Sequence, residues 1–257
     1  MPTARNFVAD GLVAMWDLLP LSSLLSDDRD AVLMYHSVDD RPSFENLYGN
    51  ITPTRLERDL RYVLNEYRVT DLRSLTGSRD RKRIAVTFDD GFHNFYTNVV
   101  PILRKYDVPA TVFVTPGIID NPELTKVAHN GITKLPVAIE TVLMDEEQLL
   151  DLVAEPLVTI GNHTRTHQPL DELNPAGQRR EITGGKEDLE DLLDISVWEF
   201  SYPYGAFDST SAAIVKEEHD LAVTGEHELV EKEIDVVHIP RINAHVEEIK
   251  LRKDLLQ

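Results

Sequence analysis

Apolar positions along the chain follow two alternating rhythms. Short apolar runs at 31–38 (AVLMYHSV), 84–91 (IAVTFDDG), 110–119 (ATVFVTPGII), 157–162 (LVTIGN), 197–205 (VWEFSYPYG), 221–226 (LAVTGE) and 235–244 (DVVHIPRINA) read as buried strands that run out into polar residues or glycine. A weaker strand, RVTDLRSL, covers 68–75. Between the runs lie stretches with helical spacing. Leu56, Leu60, Val63, Leu64 and Tyr67 predict a helix over 52–67, with Thr52 as N-cap and Pro53 in the first turn. Phe92 to Tyr106 predicts a helix kinked at Pro101. Further helices are expected at 146–153, at 171–194 with a break at Gly184-Gly185, and at 209–219. Residues 1–30 read as an N-terminal extension, 120–142 as an inserted loop and 246–257 as a charged helical tail, leaving 31–245 as one domain. A strand–helix alternation with seven or eight strands predicts a parallel α/β architecture. The chemically loaded residues follow the apolar runs, at the strand ends where such folds place their sites.

Charge narrows the function. In 257 residues, 45 acidic against 26 basic side chains give −19, which argues against electrostatic binding of nucleic acid or of an anionic membrane surface. With no cysteine there is no disulfide, thiol nucleophile or thiolate metal site. No window of about 18 apolar residues is long enough to span a bilayer. The first 25 residues are interrupted by Asp10 and Asp17 and lack a basic-then-apolar leader pattern, so a cytoplasmic protein is expected. The excess of acid, with 17 arginines to 9 lysines, also fits a salt-adapted, halophilic protein.

Three clusters could carry chemistry. Thr87-Phe88-Asp89-Asp90-Gly91 ends a strand with two adjacent carboxylates, whose mutual repulsion at a buried strand end a cation would relieve. Taken alone, Asp-Asp-Gly is also a common turn. His163 and His167 stand four apart directly after a strand, a spacing that suits a metal but arises readily by chance. His36 ends the first strand, where a histidine can equally be a rim residue. Ser201-Tyr202-Pro203-Tyr204-Gly205 reads as an aromatic turn, or as backbone N–H groups and rings lining a sugar site. Signatures of nucleotide-binding loops and of serine hydrolases are missing.

The segments LMYHSV, VTFDDGF, VPATVFV, IGNHTRTHQPL and FSYPYG, in that order, resemble the polysaccharide deacetylases (carbohydrate esterase family 4) over about residues 31–245. LMYHSV ahead of TFDDG is similar to the permuted branch that includes the biofilm poly-N-acetylglucosamine deacetylases. The resemblance implies a distorted (β/α)7 barrel whose catalytic domain is 31–245. It implies a divalent metal on Asp90, His163 and His167, zinc first, with cobalt, nickel or manganese as alternatives. It further implies Asp89 as base, His36 as general acid, and a substrate site at Tyr204, Tyr202 and Pro203, with the Tyr204 N–H facing the oxyanion. The reaction implied is removal of an N-acetyl group from an amino-sugar glycan or precursor by metal-activated water.

Two departures qualify this. The arginine that braces the base in the better-known branch is absent ahead of Pro203, where Ser201 and Tyr202 stand. That branch also draws its acid from a C-terminal hydrophobic-x-His element, and Val236-Val237-His238 has that shape with His245 close by. Both histidines otherwise read as rim residues. The alternatives are an inactive sugar-binding module on the same scaffold, and an iron oxygenase using the Asp-His-His set.

Overall fold

The computed structural model describes residues 29–40, 49–77, 81–119 and 142–255. The expected N-terminal extension up to residue 28, and the inserted loop up to residue 141, lie outside them. The strands are β1 (Ala31–Tyr35), β2 (Arg68–Val69), β3 (Arg83–Phe88), β4 (Ala110–Val114), β5 (Val158–Asn162), β6 (Glu199–Ser201), β7 (Leu221–Val223) and β8 (Ile242–Asn243). They form one sheet in the order β7-β6-β5-β4-β3-β1-β8, with β2 paired to the start of β3. Every strand pairing is parallel, as the strand–helix alternation requires.

The chain between β7 and β8 joins the two edges of this sheet. The Ala222 N–H donates to Val236 O (2.7 Å), Ile239 N–H to Ala222 O (2.9 Å) and Thr224 N–H to Ile239 O (2.9 Å). Three residues on, Ile242 pairs with Leu33 of β1, and the Ala244 N–H donates to Met34 O (3.0 Å). The result is a distorted (β/α) barrel. Strand alternation sorts its side chains. Leu33, Tyr35, Val86, Phe88, Val112 and Val114 pack outward in one cluster with helix residues such as Leu56, Leu103 and Leu189. Their neighbours Val32, Ala85, Phe113 and Val223 form a separate cluster with Ile239 in the interior. The amino end of the barrel is plugged by Arg83, whose buried guanidinium donates to Asp30 Oδ2 (2.8 Å) and to the carbonyls of Ser74 and Leu75.

Among the described residues, six α-helices accompany the strands: α1 (Pro53–Glu66), α2 (Val100–Tyr106), α3 (Glu146–Val153), α4 (Pro175–Leu193), α5 (Ser209–Glu218) and α6 (Glu248–Asp254). The α1 signals hold: the Thr52 hydroxyl accepts from the Arg55 N–H (3.2 Å), Pro53 opens the helix, and Leu56, Leu60 and Val63 are buried. The helical run from 93 to 106 is continuous, as expected, and is distorted by a π-helical turn, Phe95–Val99, directly ahead of Pro101 in the first turn of α2.

The expected break at Gly184-Gly185 does not occur, and α4 runs through it for 19 residues. Gly185 is there for contact. A Cβ on it would lie 2.6 Å from Asn162 Oδ1 and 2.8 Å from the Arg165 backbone nitrogen. The helix therefore lies directly on the turn that follows β5. It also grips that turn chemically: Glu181 accepts from the Thr166 N–H (2.7 Å) and hydroxyl (2.6 Å), and the Arg165 N–H donates to Glu181 O (2.9 Å). Gly185→Ala is accordingly expected to cost about 1–3 kcal/mol through overpacking against backbone. Gly184→Ala, whose Cβ would meet only the Arg165 side chain at 3.5 Å, should be neutral or stabilise by up to about 1 kcal/mol through helix propensity. Urea unfolding of both variants checks the contrast.

Candidate active site

The carboxyl end of β3 delivers the two adjacent carboxylates. The Asp89 N–H continues the ladder onto Tyr35 O (3.0 Å), and the chain then turns through Asp90 (φ 74°) and Gly91 (φ 64°). This departure from strand alternation lets both side chains serve one end of the barrel. Asp89 is buried, and Arg241, just ahead of β8, holds it bidentately: Nη1 donates to Oδ1 and Nη2 to Oδ2, both at 2.7 Å. The same guanidinium reaches the Ser201 hydroxyl (3.0 Å), the Thr87 hydroxyl (3.2 Å) and Thr224 O (2.8 Å). Burial raises the Asp89 pKa, but Arg241, with smaller contributions from His163 and His36, more than offsets it, and the carboxyl lies below its ordinary range.

Asp90, His163 and His167 converge, all three buried, with one ligand atom from each within 4.8 Å of the others. His163 Nε2 lies 3.5 Å and His167 Nε2 3.2 Å from Asp90 Oδ1. The far side of each ring is tied down. His163 Nδ1 is 2.8 Å from Ser201 O, a carbonyl that can only accept, so this nitrogen carries the proton. In the neutral ring, Nε2 then presents a lone pair to a carboxylate oxygen. An acceptor facing an acceptor needs a cation between them, and two imidazole nitrogens with one carboxylate oxygen suit zinc and its first-row neighbours. His167 Nδ1 is 3.1 Å from the Tyr204 hydroxyl, and its N–H is satisfied by Thr164 Oγ1 (3.0 Å). The residues therefore fit a divalent metal. Among the described residues, six other than glycine have positive φ; Asp90, Thr164, His167 and Tyr204 are at this site, and Asp107 and Asp194 end helices. Strain concentrated in this way is a mark of a functional site.

The remaining candidates separate clearly. His36, half-buried at the end of β1, lies against His245, their rings 5.7 Å apart and 71° inclined. Burial lowers its pKa from the ordinary imidazole value, with Asp90 and Asp89 pulling the other way. His245 is lowered to about 4, chiefly by burial. His238 faces elsewhere: its ring stacks on Phe207 at 4.8 Å, and Nδ1 pairs with Asp235 (2.8 Å). Tyr204 is 61% exposed, its ring edge-to-face with His167 at 4.7 Å, so its side chain borders the site. The Tyr202 ring is not brought to the triad. One strand position after the inward Ser201, it turns outward onto Phe200 and Phe207 (5.0 and 4.8 Å). Pro203 is buried and opens the turn Pro203–Gly205 that carries Tyr204.

Arg241 escaped the sequence reading, and Ser201 was read only as part of the aromatic turn. Arg241 supplies the missing brace from just ahead of β8. Ser201 joins the two halves of the site, its carbonyl on His163 and its hydroxyl between Arg241 and Asp89 (3.4 Å to Oδ2). The absence of an arginine before Pro203 was itself a signal, since a buried carboxylate without a cation asks for one on another inward-facing position.

With this geometry in hand, comparison with known proteins is direct. The polysaccharide deacetylase family matches residues 76–221, and the chain belongs to that family. YxkH of Bacillus subtilis (strain 168), assigned to the polysaccharide deacetylases, is 26% identical over 203 residues, covering 76% of this chain and 64% of YxkH. A chitooligosaccharide deacetylase of Rhizobium leguminosarum bv. phaseoli is 31% identical over 112 residues, covering 41% of this chain and 38% of the relative. The matches thus span less than two thirds of these curated relatives' lengths. The Streptococcus pyogenes deacetylase PplD, solved in complex with acetate, shares the fold at TM-score 0.71 and 22% identity, covering 89% of this chain and 97% of PplD.

The Arg241–Asp89 pair generates a stability prediction. Arg241→Met leaves a buried carboxylate without its cation and should cost about 3–5 kcal/mol. Because the folded pKa of Asp89 is depressed, the pair stabilises the wild type above the unfolded carboxylate range, and this is lost as pH falls through the lower folded value. The cost of Arg241→Met should therefore be largest near neutral pH and shrink as pH falls and Asp89 becomes protonated, read by urea unfolding at a series of pH values.

Proposed function

We propose that this chain is a metal-dependent deacetylase that removes the acetyl group from an N-acetylated amino-sugar oligomer, with residues 31–245 as its catalytic domain. The observation that carries the reading is the Asp90–His163–His167 acceptor cluster beside a buried carboxylate braced by Arg241. Binding alone would not need that second carboxylate, and an iron oxygenase would leave it without a task. The name of the Rhizobium relative supports a chitooligosaccharide-like substrate.

Asp90, His163 and His167 would hold the metal, zinc by preference. When bound, it supplies Lewis acidity toward the acetyl carbonyl and acidifies a water molecule. Asp89, ionised and fixed by Arg241, accepts the proton shed as water oxygen bonds to the carbonyl carbon. The family resemblance gives the Tyr204 backbone N–H the task of stabilising the developing oxyanion. His36 protonates the sugar nitrogen as the carbon–nitrogen bond breaks, releasing acetate and a free amine. Burial makes protonated His36 a stronger acid than a solvated imidazolium, which suits that transfer.

The test is acetate release from N-acetylglucosamine oligomers. The zinc-loaded protein is expected to release acetate, a chelator to abolish release, and Asp89→Asn to lower kcat by about 10²–10⁴-fold while still binding zinc. Folded, zinc-loaded protein that releases no acetate would overturn the reading for these substrates. The net charge of −19 supports a salt-adapted protein. Its melting temperature should then rise between low and molar KCl, as a Debye length shrinking to about 3 Å screens self-repulsion.

A further inference from the structure

The geometry points to His245, held by Asn243, as a positioning residue for His36, and this rests on the role given to His36 above. His36 ends β1, and the side chains next to it in sequence are anchored elsewhere. The Ser37 hydroxyl donates to Asn50 Oδ1 (2.7 Å) and accepts from Asn94 (2.8 Å), and the Val38 N–H donates to Asn94 Oδ1 (3.1 Å). These bonds fix the backbone of His36, and its ring packs on two neighbours.

One neighbour is Gly49, at φ +81°, so close that a Cβ there would lie 3.0 Å from His36 Nδ1 and 3.1 Å from Cγ. The other is the His245 ring, 5.7 Å away and steeply inclined. The imidazole of His36 thus packs on a bare backbone and on an aromatic neighbour.

His245 is itself built into the barrel. Its N–H donates to Asn243 Oδ1 (3.1 Å), and its Nε2 lies 2.9 Å from Asn243 Nδ2. An amide nitrogen can only donate, so Nε2 accepts, and the ring is fixed by the residue just before the turn. Asn243 sits in β8 opposite Met34 of β1, the strand that carries His36. Its own N–H donates to His227 Nδ1 (3.1 Å), whose Nε2 pairs with Asp254 of α6 (2.8 Å). The strand that closes the barrel therefore also carries the support for His36. His245 acts on the reaction through the His36 ring, so its expected signature is a loss in turnover and not in substrate affinity.

The experiment measures acetate release by the zinc-loaded full chain for His36→Ala, His245→Ala, His245→Phe and the double variant His36→Ala/His245→Ala. A misaimed donor should lower kcat of His245→Ala by about ten- to a hundredfold with KM within about twofold. His245→Phe, which restores an aromatic edge, should recover most of that loss. The double variant should be no slower than His36→Ala, because a residue acting through His36 has nothing left to position. In metal-free protein, the ring nitrogen resonances of His36 should shift in His245→Ala and return toward wild type in His245→Phe. Wild-type kcat in His245→Ala, losses that multiply in the double variant, or no recovery in His245→Phe would each overturn the proposal. Wild-type kcat in His36→Ala would instead remove His36 from the reaction, and the positioning role with it, while metal-dependent release and the Asp89→Asn loss would stand.

Discussion

The segment from Val236 to Ala244 has to satisfy both edges of the sheet at once. Its first half hydrogen-bonds to β7 and its second half to β1, so its register on one strand determines its register on the other. Inward positions on such a segment alternate, and here they place Ile239 in the barrel core and Arg241 on Asp89. A slip by one residue would turn Arg241 out, leave a buried carboxylate unpaired, and move Asn243 and His245 off the mouth. Closure of the barrel and assembly of the site are therefore one event, enforced by one bidentate ion pair.

Around that pair the site is held from behind by ordinary secondary structure under unusual demands. The turn bearing His163 and His167 cannot choose its own shape, because α4 lies on it at Gly185 and clamps it with Glu181. Positive φ at Asp90, Thr164, His167 and Tyr204 is affordable only because the flanking strands and α4 leave those residues no alternative. The histidine nitrogens not aimed at Asp90 are occupied by Ser201 and Tyr204, which fixes ring orientation before any ligand arrives.

Much of this was legible in the sequence, and the reasons differ by residue. Apolar runs ending in polar residues located the strands, because each strand of a parallel barrel is buried on both faces. The pairing of Asp89 with Asp90, and of His163 with His167, was visible because both pairs are local. Arg241 was not, because it meets Asp89 across 152 residues through a register that only the closed sheet defines. Gly184-Gly185 misled because glycine serves equally to end a helix and to let a backbone come close, and the distinction lies in the partner, here the turn after Asn162. Tyr202 and Tyr204 look equivalent in the string Tyr-Pro-Tyr. A strand position turns the first outward, and the left-handed turn presents the second.

The distance along the chain between Asp89 and Arg241 also sets a clock. At about 5–20 residues per second, a ribosome needs some ~8–30 s to synthesise the 152 residues that separate them. Throughout that interval the nascent chain carries a carboxylate designed for a dry interior but without its counterion. β3 cannot bury an ionised Asp89 cheaply until the segment that carries Arg241 has emerged.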